Sequence, residues 1–203
     1  MKIGGAIALS SVPPVPWKNG GGTTRTLAAA PEGAGMDDFL WRVSMAQIHA
    51  SGDFSAFPGI DRTILLWRGS GVVLQSPQWP EHALTEPLQP FSFRGEDAVA
   101  CRLLGASAMD LNLMVRRGAA SAAMSCHAAA VEIAARCEEL LVLCAEGRVR
   151  VRLPDGSEIV VACDHFTRIA EAPAGVRVIP EGQGRFVCIT LPGRRALPIG
   201  AVS

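Results

Sequence analysis

Short apolar runs, broken at close and regular spacing by glycine and proline, constrain this chain more than any other feature of its sequence. The 203 residues hold 21 glycines and 14 prolines, and the stretches between them have the length of strands rather than of helices. The pattern predicts an all-β protein. In the first half strands are expected over Trp41–Ile48, Arg62–Trp67, Val72–Leu74, Val99–Leu104 and Leu111–Val115. In the second half they are expected over Val131–Ala135, Leu140–Ala145, Val149–Leu153, Glu158–Ala162, Phe166–Ile169, Val176–Ile179 and Phe186–Leu191. Pro154-Asp155-Gly156-Ser157 reads as a hairpin turn, since glycine supplies the positive φ such turns need. The alanine-rich stretch Ala119–Ala130 has two readings, a helix or a bridge between halves.

The halves resemble each other. Arg62–Leu74 parallels Leu140–Val151: each is an apolar strand, a charged-Gly corner and a second strand. Downstream, Leu84, Phe91 and Cys101–Leu104 have counterparts 75 residues later in Ile159, Phe166 and Val176–Ile179. Such self-similarity indicates two copies of one β unit, each of jelly-roll size. The expected organisation is therefore 1–118 and 119–203, with strands able to exchange across the boundary.

Composition narrows the function. Apolar residues at 49% and charged residues at 19% exclude a disordered chain. Lys plus Arg equals Asp plus Glu at 19 each, which argues against a protein built to grip nucleic acid through its phosphates. No apolar run approaches the roughly 20 residues of a bilayer span. The start Met1-Lys2-Ile3-Gly4-Gly5 lacks the long apolar region of a secretory signal, so a cytoplasmic protein without membrane association is expected. The six cysteines show no Cys-x-x-Cys pair and read as reduced thiols.

Several motifs carry possible chemistry. In Pro16-Trp17-Lys18-Asn19-Gly20-Gly21-Gly22-Thr23-Thr24-Arg25 the three glycines serve either a turn or an anion site, where backbone N–H groups converge while Lys18 and Arg25 supply charge. Neither a P-loop nor a dinucleotide turn is present. In Trp41-Arg42-Val43-Ser44 alternation places Arg42 and Ser44 on one face and Trp41 and Val43 on the other; the polar face is either solvated or lines a pocket. Asp110 and Asn112 share a face with the same two readings. Asp61 and Arg62 are adjacent and open to an ion pair. Glu138-Glu139 reads as solvated. His49, His82, His127 and His165 show no His-x-His spacing, and Cys163-Asp164-His165 and Cys126-His127 are too few donors for a dedicated metal site. No nucleophile elbow is present at Gly69-Ser70-Gly71.

The blocks Pro16–Arg25, Trp41–Ser44, Gly52–Arg62, Phe91–Gly95, Cys101–Gly105 and Asp110–Gly118 together resemble the HutD/Ves family, in the family's order across residues 16–118. The resemblance implies a bicupin, two jelly-roll-like antiparallel β-barrels in one chain, and an association with bacterial histidine utilisation. Members are thought to bind a pathway intermediate such as N-formylglutamate and restrain flux, and no established catalytic activity comes with the family. The His-x-His plus glutamate set of metal-dependent cupins is absent here, so no cofactor or metal is expected. The resemblance places a pocket for a small carboxylate metabolite in the first unit. Its candidate ligand-binding residues are Lys18, Asn19, Arg25, Arg42, Ser44, Arg62, Arg102 and Asn112, with Trp17, Trp41 and Phe57 as apolar walls. The second unit is expected to be structural. The alternative is a metal-free cupin enzyme acting on an acylated amino acid, with Asp61, Asp110 or His49 as acid or base. A protein-binding scaffold is a third reading, and the oligomeric state is open, a homodimer included.

Overall fold

A computed structural model describes residues 2–118 and 121–191; residues 1, 119–120 and 192–203, and with them the end of the second expected unit, lie outside the described residues. The chain begins with β1 (Lys2–Ile3), β2 (Ile7–Ala8), a 3-10 turn over Leu9–Ser11 and β3 (Val15–Pro16). The first half continues through β4 (Gly22–Ala30), β5 (Trp41–Ile48), β6 (Gly52–Asp53), β7 (Ile60–Gly69), β8 (Val72–Ser76) and β9 (Trp79–Leu84). It closes with β10 (Phe91–Arg94), β11 (Ala100–Leu103) and β12 (Ala108–Arg116). The second half holds β13 (Ala123–His127), β14 (Val131–Ile133), β15 (Cys137–Arg152), β16 (Glu158–Ala162), β17 (His165–Ala172) and β18 (Val176–Leu191). Among the described residues there is no α-helix, and no helix long and apolar enough to cross a membrane. The alanine-rich stretch contains a strand, β13, which pairs with β18 and takes Met124 and Cys126 onto the apolar core. Packing there overrides alanine's helical preference.

The first half forms a six-stranded sheet in the order β10-β7-β12-β5-β4-β3 and a four-stranded sheet in the order β6-β11-β8-β9. The second forms an eight-stranded sheet along β1-β17-β15-β18-β13, with β2, β14 and β16 attached. Two pairs of expected strands are merged: Leu140–Ala145 with Val149–Leu153 in β15, and Val176–Ile179 with Phe186–Leu191 in β18. Register shifts between Cys144 and Arg148 bend β15, so one strand serves both sides of its unit.

Period-two alternation sorts the side chains into three interiors. Leu65 and Trp67 on β7, Leu111 and Leu113 on β12, and Trp41, Val43 and Met45 on β5 meet Leu141 and Leu143 on β15 and Val187 and Ile189 on β18 in one cluster that joins the halves. The opposite face of β15 and β18 encloses hydrocarbon: Leu140, Val142, Val149, Val151, Val178 and Phe186 are fully buried. Each such side chain contributes roughly 1.5–3 kcal/mol relative to exposure. The opposite face of β5, β7 and β12 looks toward the four-stranded sheet across Ile48, Ile64, Leu66, Leu74 and Cys101. Among the described residues, the buried side-chain atoms left without a hydrogen-bond partner belong to Arg62, Asp110 and Asn112 of the sheet that lines this last interior.

The pairing of one half recurs in the other. Leu84 faces Val72 as Ile159 faces Val151, Phe91 faces Ile64 as Phe166 faces Leu143, and Leu103 faces Val72 as Val178 faces Val151. Leu84, Phe91 and Leu103 are the residues matched in the sequence, 75 positions before Ile159, Phe166 and Val178, while their partners Val72 and Ile64 stand 79 positions before Val151 and Leu143.

Candidate functional site

The glycine run builds a hairpin. Gly20 takes φ +71° at the turn, its N–H donates to the Trp17 carbonyl, and the Gly21 N–H donates to Asn19 Oδ1. A Cβ on Gly22 would stand 2.4 Å from the Gln47 carbonyl oxygen and 3.1 Å from the Trp17 ring. The first requirement is backbone conformation and the second is room. Two of the N–H groups are thus engaged within the turn, and Lys18 and Asn19 lie exposed at its tip. Trp17 folds back onto the first unit's core and donates its indole N–H to Thr24 Oγ1 at 2.7 Å.

The pairing registers lay out the inner face of the six-stranded sheet. Ser44 on β5 is opposite Thr26 on one side and Asn112 on the other, and Asn112 is in turn opposite Ile64. One row along, Arg42, Met114, Arg62 and Phe93 are consecutive cross-strand partners. In the opposite direction Ala46, Asp110 and Leu66 form the next row. This arrangement brings together Arg42, Ser44, Arg62 and Asn112 on a single inward face, with Asp110 beside them.

Arg62 is the centre of the face. It is 6% exposed, and its guanidinium carbon lies 5.1 Å from the Phe54 ring centroid, 5.7 Å from Phe57 and 4.9 Å from Phe93. Rings stabilise a desolvated cation by about 2 kcal/mol, yet they accept no conventional hydrogen bond. Among the described residues Arg62 forms no ion pair, and its Nε is buried without a partner. Burial lowers its pKa to about 10, partly offset by Asp110, so it stays protonated at neutral pH. Asp110 Oδ1 and Asn112 Oδ1 are likewise buried and unpartnered. Burial pushes the Asp110 carboxyl up to about 7, against the opposing pull of Arg62 and the Ala46 N–H. The same burial, with Asp110 nearby, raises the Cys101 thiol to about 12. Buried donors and acceptors are rarely left unmade, because each costs roughly 1–3 kcal/mol.

Arg42 closes the other side of the face. It is half-buried, donates to Thr26 Oγ1 at 2.6 Å and to Met36 Sδ, and its pKa is lowered by burial. Met36 belongs to the connection between β4 and β5, which Arg116 ties down by donating to the Phe39 and Asp37 carbonyls.

Other candidates are placed elsewhere. Trp41 faces the cluster between the halves. Arg25 is opposite Met45, off the Ser44 face, and donates to the Val12 carbonyl. Arg102 is exposed, because Cys101 and Leu103 take the inward positions on β11. Phe57 remains at the site through its contact with Arg62. Asp61 does not pair with Arg62; it joins Arg117 at 2.7 Å on the outer face, where Glu96 also binds Arg117 at 2.8 Å. His49 is exposed. Glu139 is buried rather than solvated and pairs with Arg168. Asp164 accepts from Trp67 Nε1 at 2.9 Å and pairs with Arg68 at 3.2 Å, tying the halves together. Among the described residues no group of three His, Cys, Asp or Glu side chains could hold a metal ion. A depression of about 580 Å³ on the outer rim, lined by Asp53, Phe54, Gln75, Asp97 and Val99, is backed by the Phe54 ring that flanks Arg62.

Sequence reasoning omitted Phe54 and Phe93 from the site. Phe91-Ser92-Phe93 does carry a period-two signal, but its register against Arg62 is a tertiary fact.

Comparison with known proteins follows the same outline. The HutD family profile matches residues 9–186. An uncharacterized 21.2 kDa protein in the hutC 3' region of Pseudomonas putida is 43% identical over 102 residues, covering 50% of this chain and 53% of its own length. The chain spans about half the length of the curated relatives it matches. The structure of HutD from Pseudomonas fluorescens SBW25 superimposes with a TM-score of 0.82 at 28% identity, over 96% of this chain and 100% of that one. A Cupin 2 conserved barrel domain protein from Leptotrichia buccalis shares the fold alone, with a TM-score of 0.58 at 8% identity over 94% and 98% of the two chains. The fold is all-β and cupin-like.

Proposed function

The chain belongs to the HutD family, and from that membership and the buried cationic face we propose that it binds a small anionic metabolite without converting it. The ligand is N-formylglutamate or a related intermediate of histidine degradation, and its binding modulates histidine utilisation in the cytoplasm. The observation that carries this reading is Arg62: a buried, protonated guanidinium with an unpartnered Nε and no ion pair among the described residues. A carboxylate would supply the missing acceptor, in a charge-assisted hydrogen bond of about 1.5–3 kcal/mol. Arg42, set across the same face, suits the second carboxylate of a dicarboxylic acid, and Ser44 and Asn112 between them offer polar partners to an amide. The reading requires no cofactor or metal, and no nucleic acid or membrane partner.

It also treats 1–118 and 119–203 as two cupin units descended from one duplication. The matched registers support that, and the hydrocarbon filling of the second interior supports a structural role for it. Isothermal titration with N-formyl-L-glutamate, urocanate and histidine tests the function. Saturable heat with an acid of this class, lost in Arg62→Ala and weakened in Arg42→Ala, is expected. No heat with any of them up to the millimolar range overturns the reading.

One observation favours a second reading, a metal-free cupin enzyme acting on an acylated amino acid. Asp110, raised to about 7, sits in the range suited to a general acid or base. Following N-formyl-L-glutamate by NMR in the presence of the protein separates the two, since a binding protein leaves its spectrum unconverted.

A further inference from the structure

Resting on that reading, we propose that Asp110 makes anion binding proton-linked: the site takes up one dicarboxylate together with one proton, which Asp110 holds. Three observations carry this. Asp110 is 5% exposed and its Oδ1 has no partner. It shares the inward face of the six-stranded sheet with Arg62, whose Nε is likewise buried without a partner. The third observation is the set of groups on this face and opposite it. On β7 the charged group of this face is Arg62; on β11, Cys101, a thiol held neutral; on β5, Arg42; on β9 of the opposing sheet, His82, opposite Leu74 and stacked on Phe91; the other polar side chains of the face are Ser44, Asn112 and Thr24.

The electrostatic consequence follows from counting charges. An interior face holding Arg62 and Arg42 as cations and Asp110 as an anion carries one net positive charge, so an entering dicarboxylate leaves one negative charge in excess where desolvation is costly. With Asp110 neutral, the two guanidinium groups and the two carboxylates of the acid balance each other. The protonated Asp110 then becomes a hydrogen-bond donor toward a ligand oxygen, where the ionised form can only accept. No bond is broken: the proton comes from solvent and returns to it when the ligand leaves. The free protein's Asp110 titrates at about 7, so uptake is small in acid and approaches one proton in alkali. Asp110 contacts the ligand in this scheme, and its proton sets which charge state of the site accepts an acid.

Calorimetry of the full chain between about pH 6 and pH 9, with N-formyl-L-glutamate and with glutarate, provides the test. Repeating each titration in buffers of different ionisation enthalpy counts protons directly and needs no variant. The expected result is uptake rising toward one proton and affinity falling about tenfold per pH unit above neutrality. In Asp110→Asn, which has no proton to take up, both trends are expected to vanish. Binding with no proton uptake, or with proton release, overturns this inference and leaves the carboxylate site standing. Absence of binding at every pH removes the site and the inference together.

Discussion

At the scale of single residues, the first unit holds an Arg that would be better tolerated as hydrocarbon. Arg62 is ringed by Phe54, Phe57 and Phe93, and replacing a buried charge by an apolar side chain of similar length is often neutral or stabilising by about 1–4 kcal/mol. Arg62→Met is therefore expected to match or exceed the wild-type protein in urea denaturation while losing ligand binding; a loss of stability would show the cation to be structural. Asp110 gives a second residue-level prediction. Its folded pKa of about 7 lies above its ordinary value of 3.8, so the folded state binds the proton more tightly. The contribution is present in full below about pH 4 and is lost as pH rises toward 7. The unfolding free energy of the unliganded protein, measured by denaturant titration, should fall across that window by an amount on the order of a few kcal/mol, and Asp110→Asn should flatten the profile. An unaltered slope in the variant would assign the dependence to another group. The site was legible in outline because alternation fixes which residues share a face: Arg42 with Ser44, and Asp110 with Asn112. Which of the two faces turns inward depends on the partner sheet. Arg102 and Trp41 show this, lying on the faces opposite those that line the site.

At the scale of elements, the glycine-rich hairpin is explained by its own geometry. Gly22→Ala forces a Cβ to within 2.4 Å of the Gln47 carbonyl, so a destabilisation of about 1–3 kcal/mol is expected, read as a lowered Tm. A silent substitution would remove the packing account of this glycine. Strands framed by breakers were readable: Trp41–Ile48 and Glu158–Ala162 coincide with β5 and β16. Others were not. Gly22–Ala30 carries threonine and alanine rather than an apolar run, and it becomes a strand because β5 offers it an edge. The corner at Gly147 reads as a turn, but paired on both sides by β16 and β18 it becomes a bend within β15. Local signals mark where a chain can turn; pairing decides whether it leaves the strand.

At the scale of the whole molecule, the largest apolar cluster lies between the halves rather than inside either one. Trp67 is fully buried there, and its indole N–H reaches Asp164 from the second half. The halves are thus expected to unfold in one cooperative transition, with circular dichroism and tryptophan fluorescence superimposing. Trp67→Ala should cost about 3–5 kcal/mol; two separated transitions in the wild-type protein would contradict the shared core. The second unit's interior is mostly hydrocarbon and the first holds unpartnered polar atoms, which supports the proposal of a binding site in the first. A crystal structure of the protein grown with N-formyl-L-glutamate tests this most directly. The account predicts a carboxylate against Arg62 Nε on the face shared with Ser44 and Asn112. Acid bound only on the exterior, with Arg62 still lacking an acceptor, would contradict it.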